Sequence, residues 1–357
     1  MEECEKVSII IPVYNGANYL REAIESALNQ DYPNIEVLVI NDGSNDNNAC
    51  ENIAKEYGDR IRYFYKENGG VATALNYGIE KMTGTYFSWL SHDDVYFKNK
   101  ISAEMEAITA VGDDCIIGCG YKVVDRDRNF LYEINPLKEY GKEKLELPLF
   151  PVFHCCINGC ALLIPKSHFE RVGYFDENLP TTQDYDLWFR MLRGRKMRFI
   201  DGAYLYSRSH DEQDSRKKYS EHIRECNELW IHLFDSITIE EKCKMGEGSE
   251  LIFLCQEKQR FLQSDYVKVV EYLDRKILEL LHKENNVHDI KKSEVVAIVE
   301  YYDEKVYELE KKVKAIDALR SEINLEKNYY QKCYRDICNS TCWKMTGFLR
   351  KILDIMK

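Results

Sequence analysis

The four residues Ser91-His92-Asp93-Asp94 set two adjacent carboxylates, an imidazole and a hydroxyl directly behind the apolar run Tyr86-Phe87-Ser88-Trp89-Leu90. Adjacent acids at the carboxyl end of a buried strand can hold Mg²⁺ or Mn²⁺, cations that accept oxygen ligands and share substrate phosphates. The same acids have a plainer use, because Asp is a common helix N-cap and a helix can open after Tyr96. Another acid, Asp42, ends the apolar run Ile35 to Ile40 in Asn41-Asp42-Gly43-Ser44. Its carboxylate can accept the imide N–H of a pyrimidine, and Tyr14 in Pro12-Val13-Tyr14-Asn15 offers a ring for stacking. Neither a P-loop lysine nor a GxGxxG run is present, so neutralising a phosphate falls to a cation and again points at Asp93.

These residues need elements to position them. Val7 to Ile11 reads as a strand stopped by Pro12, followed by a turn and a helix with Leu20, Ile24, Ala27 and Leu28 on one face. Strands over Ile35–Ile40, Ile61–Tyr65 and Tyr86–Leu90 alternate with helices over Asn47–Tyr57 and from Val71 past Ile79. That alternation predicts a mainly parallel sheet with right-handed crossovers, whose polar turns open on the same edge as Asp93. Further on, a helix over Lys98–Ala110, a strand over Ile116–Val124, a polar loop and an apolar segment over 157–164 ended by Pro165 are expected. A turn at Gly173–Asp176 then leads to a helix with Leu187, Trp188, Met191 and Leu192 on one face. Asp184 lies in its first turn, where a carboxylate can cap or do chemistry.

The chain has 357 residues, 45% of them apolar, a net charge of −12, 25 Tyr and 13 Cys. That length allows about two domains. The acidic balance argues against a nucleic-acid binder, and the aromatic content against a disordered acidic chain. Glu2, Glu3 and Glu5 stand where a secretory signal needs positive charge, and no apolar run approaches ~18 residues. A reducing, cytoplasmic setting with free thiols is therefore expected. Cys115/Cys119 and His154-Cys155-Cys156/Cys160 lack paired CxxC spacing and lie in apolar runs, so zinc is not expected.

Several of these motifs, taken in order, resemble the family 2 glycosyltransferases of the GT-A fold. They are Ile10-Ile11-Pro12-Val13-Tyr14-Asn15, Val39-Ile40-Asn41-Asp42-Gly43-Ser44, Asn68-Gly69-Gly70, Leu90-Ser91-His92-Asp93-Asp94, Gly173-Tyr174-Phe175-Asp176-Glu177 and Asp184-Tyr185-Asp186-Leu187-Trp188. The resemblance spans about residues 7–215. It implies an α/β GT-A nucleotide-sugar-binding fold with a mainly parallel mixed sheet, and inverting transfer of a sugar from a nucleotide-diphosphate sugar, expected to be a UDP-sugar. Pro12, Tyr14, Asp42 and Asn68 would hold the donor nucleoside, with Ser91, Asp93 and Arg208 completing the donor site. Asp93 would be the second acid of the family's Asp-x-Asp metal motif. Ser91 replaces the first acid, so the site loses a charged ligand while keeping a hydroxyl for ribose or a metal-bound water. Tyr206-Ser207-Arg208-Ser209-His210 resembles the family's late Arg-x-His segment. By that match His210 would join Asp93 at an Mn²⁺ or Mg²⁺ ion and Arg208 would neutralise phosphate. Asp184 would be the general base, with Gln183 standing where the family usually has Glu.

The remainder reads as an all-α C-terminal region. The expected organisation is a GT-A domain over 1–217, a helical region over 218–298 broken near Gly246-Glu247-Gly248, and a coiled-coil-like helix with a basic tail over 299–357. Tyr302, Leu309, Ile316, Ile323, Tyr330 and Ile337 recur every seven residues, a seam for a homo-oligomer or for packing on the chain's own body. From Trp343 onward, basic residues interleave with Trp, Phe, Leu, Ile and Met. That composition suits either an anionic membrane surface, giving a peripheral enzyme at the inner face of the cell membrane, or a docking helix. The acceptor would then be a glycan or lipid-linked molecule of bacterial surface polysaccharide synthesis. The competing reading is a non-catalytic nucleotide-sugar-binding scaffold that recruits partners through its C-terminal helices.

Overall fold

The computed structural model describes residues 4–112, 114–210 and 218–283. The heptad seam and the basic tail lie outside these residues.

The first half alternates as its apolar runs require: β1 (Val7–Val13), α1 (Ala17–Leu28), β2 (Ile35–Asp42), α2 (Ala49–Lys55), β3 (Arg62–Lys66), α3 (Val71–Lys81) and β4 (Tyr86–Trp89). β1 is buried along its whole length and pairs in parallel with β2 on one side and β4 on the other. Pro12 does not stop β1, which continues through it to Val13 with Pro12 opposite Ile40. The reason is local. Val7 N–H donates toward β2, so alternate residues including 12 face β4, and β4 has already ended opposite Ile10. A missing N–H at that point leaves no ladder bond unmade.

Beyond β4 come β5 (Val95–Tyr96), α4 (Lys100–Val111), β6 (Ile116–Val124), β7 (Phe130–Ile134), α5 (Pro136–Leu145), α6 (Phe150–Phe153), β8 (Leu162–Pro165), α7 (Ser167–Val172), α8 (Gln183–Leu192) and β9 (Met197–Arg208). The described strands make one sheet in the order β3-β2-β1-β4-β8-β6-β9-β5, with β7 flanking β6. It is mixed: β8 runs antiparallel to both β4 and β6, while β6 and β9 are parallel. The stretch after Val124, expected to be a polar loop, instead carries β7 and α5. Asn135 caps α5 by accepting from Lys138 N–H, with Pro136 at the first helical position, where its missing N–H costs nothing.

Four helices follow: α9 (Tyr219–Ser236), α10 (Ile239–Met245), α11 (Glu250–Phe261) and α12 (Val267–Lys283). Thr238 and Glu241 form a capping box at the start of α10, and the Gly246–Gly248 break separates it from α11. These helices share a core with the sheet domain. The fully buried ring of Phe153 lies 5.9 Å from Trp230, 5.2 Å from Phe234 and 5.6 Å from Phe253. Truncating such a side chain costs about 3–5 kcal/mol. Among the described residues no helix is long and apolar enough to cross a membrane.

Candidate active site

The turns that follow β1, β2 and β4 open on one edge of the sheet and are tied to one another. Asn15, at a left-handed φ of 52°, donates from its backbone N–H to Ser44 Oγ and from Nδ2 to Asn45 Oδ1. Pro12 is buried in β1, whereas Tyr14 is 45% exposed and free to meet a ring. Asp42 is buried at the end of β2, before the N-terminus of α3. Its carboxylate accepts from Gly70 N–H at 2.8 Å, Gly69 N–H at 3.1 Å and Lys66 Nζ at 2.6 Å. Asn68 Nδ2 donates to Asp42 O. The close approach of this segment requires Gly43, where a Cβ would stand 2.5 Å from Asn68 N. Pro12, Tyr14, Asp42 and Asn68 thus belong to one neighbourhood. Lys66, which no motif singled out, joins them.

The second neighbourhood lies after β4. Asp93 and Asp94 are buried, and neither caps a helix: Asn99 precedes α4, and Asp94 Oδ1 instead accepts Arg208 N–H at 2.8 Å. The capping alternative fails because a long-range backbone donor at the end of β9 has claimed Asp94. Burial, together with the neighbouring Asp93 charge, pushes the Asp94 carboxyl well above the usual range, against the Arg208 hydrogen bond. Asp93 moves the other way. Burial alone would raise it, but the hydrogen bond with His210 and the fields of His92 and His210 outweigh burial and hold it low. His210 Nε2 stands 2.9 Å from Asp93 Oδ2. The His92 ring packs where a Cβ on Gly16 would stand, 2.0 Å from its Cδ2, so only glycine fits there.

Arg208 ties this cluster together from inside. Its Nε donates to Asp93 O at 2.9 Å, one terminal nitrogen to Arg126 O at 2.6 Å and the other to Glu22 Oε2 at 2.6 Å, and its guanidinium lies 4.4 Å from the Tyr19 ring centroid. The side chain is 3% exposed. This places Arg208 as a brace for the acidic turn and turns its guanidinium toward the protein interior. Ser91 sits beside Cys160, whose thiol donates to Ser91 Oγ at 3.3 Å.

Asp184 occupies the first turn of α8, and Thr182 holds the N-cap position. It is partly open to solvent, yet the apolar mass around it pushes its pKa up to about 6, against a hydrogen bond from Tyr185 N–H at 2.9 Å. One short segment bridges it to the acidic turn. Tyr185 Oη donates to Ile157 O, and Cys160, three residues on, touches Ser91. Ring contacts run in parallel, from Trp89 to Phe175 at 6.1 Å and on to Trp188 at 5.8 Å. His154 stays apart as a structural residue, stacked 3.7 Å from Phe150 and lowered to about 4 by burial.

Among the described residues no three His, Cys, Asp or Glu side chains group to hold a metal ion. Asp93 and His210 do supply one carboxylate oxygen and one imidazole nitrogen at contact distance, a donor pair that fits Mn²⁺ better than Mg²⁺ once phosphate oxygens are added.

A mixed sheet whose turns gather Tyr14, Asp42 and Asn68 on one edge, an acidic turn closed by a histidine, and a carboxylate raised toward neutrality is the architecture of a GT-A glycosyltransferase. The chain belongs to glycosyltransferase family 2, whose model, described as Glycosyl transferase family 2, matches residues 8–172. An uncharacterized glycosyltransferase of Rickettsia typhi is 47% identical over 277 residues, covering 76% of this chain and 86% of that protein. Another, of Rickettsia felis, is 49% identical over 282 residues, which is 78% of this chain and 46% of that protein. The chain therefore spans about half the length of that relative. Among solved structures, Staphylococcus aureus TarS residues 1–349 in complex with UDP shares the fold with a TM-score of 0.52 at 19% identity, covering 68% of this chain and 70% of the other.

Proposed function

We propose that this chain catalyses inverting transfer of a hexosyl group from a UDP-sugar to a hydroxyl of a glycan or lipid-linked acceptor in bacterial surface polysaccharide synthesis. The observation that carries this reading is Asp184, a partly open carboxylate at the head of α8 whose pKa of about 6 leaves it ionised yet basic at neutral pH. The Asp184 carboxylate takes the acceptor hydroxyl's proton as that oxygen attacks the anomeric carbon. The bond from that carbon to the diphosphate oxygen breaks with inversion, UDP departs with the bonding electrons, and Asp184 returns its proton to solvent. Tyr14 stacks on the base, and Asp42, held by Lys66 and the Gly69–Gly70 amides, receives its imide N–H. Asp93 and His210 would hold the divalent ion, with Ser91 contributing a hydroxyl; when bound, the ion supplies positive charge against the departing diphosphate. Arg208 fixes Asp93 and Asp94 in place.

The basic tail from Trp343 onward supports a working position at the inner membrane surface, and the heptads over 302–337 support self-association. The decisive experiment incubates the full-length protein with Mn²⁺ and a panel of UDP-glucose, UDP-galactose and UDP-N-acetylglucosamine. At least one should release UDP slowly by hydrolysis. Binding without release from any of them would replace the enzyme with a nucleotide-sugar-binding scaffold.

A further inference from the structure

The helical region reaches the base through one buried side chain. Glu225 on α9 is 5% exposed, and its Oε2 receives three donors from the turn before α8: Thr181 N–H at 3.0 Å, Thr181 Oγ1 at 2.9 Å and Thr182 Oγ1 at 3.3 Å. Its other oxygen is buried with no hydrogen-bond partner among the described residues. His222, one turn earlier on α9, lies 3.1 Å from Thr181 Oγ1 through Nδ1. With the threonine hydroxyl committed as donor to Glu225, that ring nitrogen is the one carrying the proton.

The consequence falls on the first turn of α8. A threonine at an N-cap ordinarily turns its hydroxyl oxygen toward the second or third helical N–H. Thr182 makes no such bond. The third helical N–H, that of Tyr185, goes instead to Asp184 Oδ1 at 2.9 Å. With Asp184's own N–H also acting on the carboxylate, the backbone at the start of α8 sets the direction of the Asp184 side chain.

We propose that Glu225 is a positioning residue for the transfer reaction: by drawing the Thr182 hydroxyl away from the helix end, it reserves the Tyr185 N–H for Asp184 and so orients the base. For catalysis this rests on the assignment of Asp184 as the base. The helical region is then a working part of the active site, contributing through α9 what the sheet domain alone leaves undone. The titratable groups facing Asp184 are Tyr185 on its own helix and Cys226 on α9, with Cys155 beyond Tyr185. Glu225 and His222 grip the turn.

The test labels the full-length protein with ¹³C-aspartate and follows the Asp184 carboxyl resonance, identified by its loss in Asp184→Asn. In Glu225→Ala the Thr182 hydroxyl swings back to cap α8, and the titration midpoint should rise by about half a unit to one unit, as expected for one lost hydrogen bond. Loss of a nearby negative charge alone would lower it, so the sign discriminates. Adding Thr182→Val, which cannot cap, should return the midpoint to the wild-type value, and Glu225→Gln, which still accepts, should stay close to it. An unmoved or lowered midpoint in Glu225→Ala, or an equal rise in the double variant, overturns the proposal. If Glu225→Ala does not fold, Glu225→Asp, one methylene too short for the turn, carries the same expectation. The base assignment is read separately, from UDP release by Asp184→Asn. Wild-type release there removes the catalytic role of Asp184 and leaves the NMR result standing.

Discussion

Lys66 faces Asp42 across the paired ends of β3 and β2, Nζ to Oδ1 at 2.6 Å, with the two side chains only 19% and 4% exposed. The ammonium also donates to Thr73 Oγ1 at 2.8 Å and Glu67 O at 2.6 Å, which locks the pair in one geometry. The Asp42 charge is thus balanced and its carboxylate held in one direction, ready for the nucleoside that we propose it receives. Lys66→Met should therefore weaken UDP binding by roughly tenfold to a hundredfold, the scale of one charge-assisted hydrogen bond. Titration calorimetry with UDP measures this. Unchanged affinity would reduce the pair to a structural brace.

Asp184 carries two linked expectations. If Asp184 is the base, as proposed, kcat/KM for donor hydrolysis should rise with pH through about 6 as it ionises in the free enzyme, and Asp184→Asn should lower it by about 10²–10⁴-fold. Stability should move the opposite way. Because the folded pKa lies above the unfolded one, near 3.9, stability is lost as pH rises between the two values. Asp184→Asn escapes that loss and should be more stable than wild type by on the order of 2–3 kcal/mol at pH 8, a gain absent at pH 3.5. Urea unfolding at the two pH values checks it.

The proposed divalent site has two protein donors, so it should fill together with the nucleotide. Calorimetry should show Mn²⁺ binding weakly to the free protein and much more tightly with UDP present, the ion taking the place of the Asp93–His210 hydrogen bond. Asp93→Ala should erase this coupling, and Ser91→Asp should strengthen ion binding without UDP. Tight Mn²⁺ uptake by the wild-type protein alone would contradict the scheme.

Beneath the acidic turn Lys100 and Glu104 form an ion pair whose side chains are fully buried, Nζ lying 2.8 Å from both carboxylate oxygens and 3.3 Å from Ser88 Oγ on β4. Glu104→Leu alone strands the ammonium and should cost about 3–5 kcal/mol in chemical denaturation. Lys100→Met with Glu104→Leu should recover most of that loss. Additive losses in the double variant would show that each side chain acts through other partners.

The tail is tested in solution. Deleting residues 340–357 should leave hydrolysis of a soluble UDP-sugar intact and reduce sedimentation with anionic liposomes, with salt weakening the binding of the full-length protein. Unfolding of the truncated protein would identify the tail as part of the fold.

The parts of this protein legible in its sequence are those with a strong local signal. The runs around Ile9–Ile11, Val37–Ile40 and Phe87 are buried on both faces, so they read as parallel strands. Asn41-Asp42-Gly43-Ser44 and Ser91-His92-Asp93-Asp94 stood out as polar breaks at strand ends. β9 was not legible: Arg198, Asp201, Ser207 and Arg208 interrupt its apolar pattern, Gly202 takes a φ of 107°, and its register with β6 shifts twice. β7 was hidden for a different reason, since Phe130, Leu131 and Tyr132 are all exposed and no buried face imposes alternation. The inward commitment of Arg208 and the reach of Glu225 to Thr181 depend on partners 186 and 44 residues away, which no local window can reveal.

The 117-residue separation of Asp93 and His210 also has a meaning in time. A ribosome adding about 5–20 residues per second needs roughly 6–23 s to travel that distance. The proposed nucleoside neighbourhood, complete by Gly70, emerges while Asp93 and Asp94 still lack the arginine and histidine that close their turn. For those seconds the nascent chain presents two neighbouring acids without their basic partners. On the roles proposed above, a half-made protein should recognise a nucleoside before it can grip an ion, with the two sites maturing at different moments of synthesis.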